Sequence, residues 1–151
     1  MIITSCDHTG ITVCEIERSL AFWTDVMGCK LAFRIHSKGE DARCITGVPG
    51  AELLIAMLDA PGGHRIELMQ YRYLAPADRQ HFRPRPCDVG NVHVAFTVDN
   101  IDEMLAALLD AGCVTHGKPR GPPGHICMTW MACKIHLAIS MSIFFLTGVG
   151  L

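Results

Sequence analysis

The chain has 151 residues, half of them apolar and 19% charged, with a formal net charge of −2. That length suits one ordinary domain or two small fused ones, and the composition excludes a disordered chain and a coiled coil. No basic patch or stripe stands out, which argues against a nucleic-acid binder.

The eight Cys fall below the density of a disulfide scaffold, and no two form a CxxC pair, so a structural zinc knuckle is not expected. Residues 1–8 carry no basic region and no long apolar run. This reads as no secretory signal and a reducing cytoplasm.

The elements follow in chain order. His8 to Val13 reads as a strand, with His8, Gly10 and Thr12 on one face and Ile11 and Val13 on the other. Ile16, Leu20, Trp23 and Met27 fall at helical spacing, and Gly28 suits a left-handed helix stop. Lys30 to Ile35 and Glu52 to Leu58 read as strands. Pro61-Gly62-Gly63 turns the chain, and His64 to Tyr71 returns as a hairpin partner. On that last strand Arg65, Glu67, Met69 and Tyr71 share one face, and Ile66 and Leu68 take the other.

The pattern then starts again. His93 to Val98 is a strand, with His93, Ala95 and Thr97 opposite Val94, Phe96 and Val98. Ile101, Met104, Leu105, Leu108 and Leu109 mark a helix. Asn100 with Glu103 is its N-cap pair, and Gly112 its stop. His8 and His93 are 85 residues apart, Gly28 and Gly112 only 84, so one residue has been gained or lost in the helix. Two copies of one unit are expected: residues 1–74 as a βαβββ module, 75–90 as a linker, and 91–151 as the second module.

A lone His on a strand is usually a satisfied polar residue. Two at matched repeat positions point the other way. If the copies pair about a pseudo-twofold axis, His8, His93 and Glu67 share one concave surface. Two imidazoles and a carboxylate suit a divalent transition metal with open positions.

The runs Asp7-His8-Thr9-Gly10-Ile11-Thr12-Val13, Arg65-Ile66-Glu67-Leu68 and Asp88 to Phe96 resemble the vicinal oxygen chelate superfamily. Its members include glyoxalase I, methylmalonyl-CoA epimerase, extradiol dioxygenases and bleomycin- and fosfomycin-resistance proteins. The resemblance covers residues 5 to 120. It implies an α+β fold of two tandem βαβββ modules whose mixed sheet curls around a metal or ligand cavity. It also implies His8, Glu67 and His93 as ligands of Zn, Ni, Co, Mn or Fe, with Glu67 as the catalytic carboxylate. A small-molecule substrate and a homodimer are expected, with no nucleic-acid or membrane partner.

The tail departs from that pattern. The family's fourth ligand, a Glu near the end of the second module, is missing, and no Asp or Glu follows Asp110. His136 is the substitute candidate, although the hairpin before it is short. Residues 134–143 admit codons that, with the first two bases dropped, read Asp-Pro-Leu-Gly-Asp-Phe-Tyr-Glu-Tyr. This is consistent with a frameshift after residue 125.

The expected function is a divalent-metal-dependent lyase or isomerase of the glyoxalase and epimerase type. It would act on a small carbonyl or acyl substrate through an enediolate. An iron-dependent ring-cleaving dioxygenase and a non-catalytic, antibiotic-sequestering protein are the alternatives. Arg34 and Arg65 are candidate anchors for an acidic group.

Overall fold

The computed structural model describes residues 2–72, 89–90 and 92–113, and the backbone of 126–129 and 142–147. The chain divides into two units, Met1–Gln80 and His81–Leu151. The 75–90 linker, apart from Val89 and Gly90, and His136 lie outside the described residues.

In the first unit, β1 (His8–Thr12) leads into α1 (Ile16–Ala21), and β2 (Lys30–Lys38) into α2 (Gly39–Thr46). β3 (Glu52–Asp59) and β4 (Arg65–Arg72) complete it. The sheet order is β1-β4-β3-β2, with β1 parallel to β4 and the other pairs antiparallel. In the second unit come β5 (His93–Val98), α3 (Ile101–Asp110), β6 (Ile126–Thr129) and β7 (Ser142–Thr147). There β5 runs parallel to β7, and β6 antiparallel to it. Both units therefore place their first strand beside their last. The architecture is α+β, with mixed sheets and few helices, as the repeat implied.

Alternation builds the first core. Ile11, Val13, Ile66 and Leu68 are buried on one side of the sheet, together with Leu58 and Ala56. α1 lies against β3 and β4 and brings in Ile16 and Leu20, while Trp23 beyond it is also fully buried. Each large aliphatic side chain so buried contributes about 1.5–3 kcal/mol. α1 has no side-chain cap of its own. Gln70 Oε1 on β4 accepts the Ile16 N–H at 2.9 Å instead, which pins the helix start to the sheet.

The one-residue mismatch between the copies has a structural counterpart. α1 continues as a π-helical turn, Phe22–Val26, in which Met27 N–H donates to Phe22 O at 3.2 Å. A π turn holds one residue more than an α turn. The first helix thus absorbs its extra residue and still stops at Gly28 with φ +70°. α3 stays α-helical, is capped by Asn100 accepting from the N–H groups of Asp102 and Glu103, and is followed by Gly112 at φ +80°. Leu108 is its buried anchor, whereas Leu109 is half exposed, so the apolar stripe is narrower than its sequence suggested.

Two further differences lie between β2 and β3. β2 extends three residues past Ile35, and α2 follows it where sequence periodicity marked nothing. α2 is short, with Glu40 and Asp41 in its first turn, where carboxylates complement the helix dipole. Gly47 in the left-handed region ends it, and Ala42 packs with Ala51 and Leu53.

Candidate metal centre

Residues paired in register point to the same side of a sheet. Gly10 pairs with Glu67, Met57 with Glu67, and Phe33 with Met57. His8, Gly10 and Glu67 therefore face away from α1. Ile55, Met69, Leu53 and Tyr71 share that side, and the Ala42–Ala51–Leu53 cluster of α2 covers its far end. Phe33 and Ile35 remain half exposed on the same side. The result is a sheet face walled at one end by apolar residues and carrying His8 and Glu67 at the other.

The first two expected ligands come together. His8 Nε2 lies 3.4 Å from Glu67 Oε2. Its other nitrogen, Nδ1, lies 2.8 Å from Asp7 Oδ2, a hydrogen-bond distance. An ionised carboxylate only accepts, so Nδ1 is the donor in this contact. The bond from His8 holds the Asp7 carboxyl below the usual carboxylate range, helped by the Arg65 charge.

Gly10 faces Glu67 across the strand pair. A Cβ at that position would lie 3.1 Å from Met69 Cε and 3.4 Å from Glu67 Oε2. The second distance is an ordinary contact, so only a side chain larger than a methyl would crowd the carboxylate.

Two donors bonded to one metal at about 2.1 Å, subtending about 90–109°, are about 3.0–3.4 Å apart. The observed 3.4 Å falls at the tetrahedral end of that range. A neutral hydrogen bond would be about 2.7–3.2 Å. An imidazole nitrogen and a carboxylate oxygen at this spacing therefore fit a divalent transition metal.

His93 opens β5 in the second unit, at the place His8 occupies on β1. Among the described residues no three His, Cys, Asp or Glu side chains form a metal-binding group. The register also locates the counterpart of Glu67. Glu67 pairs with Gly10, two residues beyond His8, whereas Ala95, two beyond His93, pairs with Phe144. An apolar residue holds that position.

Of the two candidate anchors, Arg34 is turned elsewhere. It pairs with Ala56 on the α1 side and donates two hydrogen bonds to Glu17, each 2.7 Å. Arg65 pairs with His8 on the site side, 3.3 Å from Asp59. Sequence reasoning missed the roles of Asp7, Gly10 and α2. The signal for the first was its place directly before His8, and for α2 the acidic start and Gly47 stop.

The sequence profile of the glyoxalase/bleomycin resistance protein/dioxygenase superfamily matches residues 7–128. A glyoxalase family protein from Bacillus cereus is 25% identical, with 98% of this chain and 97% of that one covered and a TM-score of 0.80. A glyoxalase/bleomycin resistance protein/dioxygenase domain from Frankia sp. EAN1pec is 18% identical, covering 97% and 99%, with a TM-score of 0.60. The fosfomycin resistance protein FosX of Listeria monocytogenes, solved with Mn(II) and sulfate, is 13% identical, covering 98% and 95%, with a TM-score of 0.61. No curated protein sequence matches the chain. No helix among the described residues is long and apolar enough to cross a membrane.

Proposed function

The chain belongs to the glyoxalase/bleomycin resistance protein/dioxygenase superfamily, and from that premise we propose that it is a divalent-metal-dependent lyase or isomerase. Its substrate is a small carbonyl or acyl compound, and the reaction moves a proton on the carbon next to that group. The observation that carries this reading is the 3.4 Å approach of His8 Nε2 to Glu67 Oε2.

His8, Glu67 and, by repeat equivalence, His93 hold the ion, which is Zn, Ni, Co, Mn or Fe. When bound, the metal supplies Lewis acidity to adjacent substrate oxygens. Glu67 moves the proton: with Oε2 turned toward His8, Oε1 is left to take it from carbon and return it. Phe33, Ile35 and Met57 offer apolar surface beside Glu67 for the carbon part of a substrate. Arg65 is placed to meet an acidic group beside His8. The same reading makes the protein a cytoplasmic homodimer.

The test is solvent exchange. Metal-loaded protein is incubated in D2O with a panel of 2-oxoaldehyde hemithioacetals and 2-branched acyl thioesters, and the proton next to the carbonyl is followed by NMR. Exchange in the wild type, lost in Glu67→Gln, is the expected result. Exchange equal in both proteins would remove Glu67 from the proton transfer. Oxygen consumption with a catechol and iron, without exchange, would reassign the reaction.

A further inference from the structure

We propose that Asp7 is a positioning residue that locks His8 in the Nδ1–H tautomer, leaving the Nε2 lone pair aimed at the ion. The inference rests on the metal reading above and adds a residue to it.

The geometry has three parts. Asp7 Oδ2 lies 2.8 Å from Nδ1, which must donate. In the neutral ring Nε2 then carries the lone pair, and Nε2 faces Glu67 Oε2 at 3.4 Å. Two acceptors turned toward each other across such a gap repel unless a cation lies between them. Free imidazole side chains favour the Nε2–H tautomer, which blocks the nitrogen that faces Glu67. A carboxylate on the second nitrogen of a metal-binding His reverses that preference and fixes the ring.

The two copies differ here. Val92, not an acid, precedes His93. The acid directly before the His is thus a feature of the first copy's sequence and not of the second's. A competing structural role is an imidazolium bridging Asp7 and Glu67, with both nitrogens protonated. The two roles give different proton patterns on one ring.

The experiment reads that pattern and metal affinity separately. Long-range proton–nitrogen NMR at pH 8 on the metal-free protein reports the His8 tautomer. Calorimetry with Zn(II) reports affinity. The wild type is expected to show neutral His8 with Nδ1 protonated. Asp7→Ala is expected to move the proton to Nε2 and weaken Zn(II) binding about tenfold, the low end of the roughly 10- to 100-fold range for such partners. Asp7→Asn, whose Oδ1 still accepts from Nδ1, is expected to keep the tautomer and most of the affinity. Because 71% of the Asp7 side chain is exposed, neither change should unfold the protein. A doubly protonated ring or an Nε2–H tautomer in the wild type would overturn the proposal. So would an Asp7→Ala variant with unchanged tautomer and affinity. Loss of the Nδ1–H form in Asp7→Ala, with no Zn(II) binding even in the wild type, overturns the metal reading and leaves the tautomer lock standing.

Discussion

His8 Nε2 and Glu67 Oε2 stand 3.4 Å apart on neighbouring parallel strands, two residues out of register, because Gly10 and not His8 is the direct partner of Glu67. The two side chains lean toward each other over a residue that has none. Glu67→Gln keeps the shape and removes the charge. We expect Zn(II) affinity to fall at least about a hundredfold, or ~2.7 kcal/mol. The melting temperature of the metal-free protein should change by the equivalent of less than about 1 kcal/mol. Calorimetry and a thermal melt on one preparation check both, and a variant that loses stability but keeps affinity would make Glu67 structural.

Gly10 gives a second, independent probe of the same spacing. A methyl at this position presses on Met69 Cε at 3.1 Å, which a flexible thioether can yield. A branched side chain also meets the Glu67 carboxylate. Gly10→Ala should therefore cost little affinity, and Gly10→Val about tenfold or more. Equal affinity in all three proteins would mean that Glu67 does not need this space.

The second unit invites a gain of function. By register, Phe144 stands where Glu67 stands in the first unit. Phe144→Glu should tighten metal binding by at least about tenfold, or ~1.4 kcal/mol. A folded variant with wild-type affinity would show that the strand does not supply a ligand position.

Much of this was legible in the residues. The two-residue alternation of Arg65 to Tyr71 put Glu67 opposite Ile66 and Leu68, and both aliphatics are fully buried. The repeat marked β1 and β5 as equivalents. The 85-against-84 offset marked a one-residue difference within the helix, and the π turn is how the first unit accommodates it. The position of Phe144 was not legible, because it depends on the parallel pairing of β5 with β7, which no local pattern fixes. α2 was hidden for a different reason: its eight residues hold too few apolar positions for a helical period to show. Adjacency put Asp7 within range of His8, but which ring nitrogen it meets depends on the rotamers of both side chains, which spacing does not fix.

Thiol chemistry tests the core without reference to the metal. Cys6 and Cys44 are exposed, whereas Cys29 and Cys113 are buried. Burial pushes the Cys29 thiol up from 9.0 to about 11. A raised thiol value means that its contribution to stability is complete below pH 9 and is lost as the pH rises toward 11. Native-state alkylation at pH 8, read by mass spectrometry, should modify Cys6 and Cys44 and spare Cys29 and Cys113. Equal modification of Cys29 would show that the first core opens readily.

The ligand set is the point on which the account stands or falls. Calorimetric titration of the metal-free protein with Zn(II) should give one tight site per chain in the wild type. That site should be abolished in His8→Ala and in His93→Ala, because a site built from the three proposed ligands would have no redundancy. A His8→Ala protein that is folded and binds Zn(II) as the wild type does would contradict it.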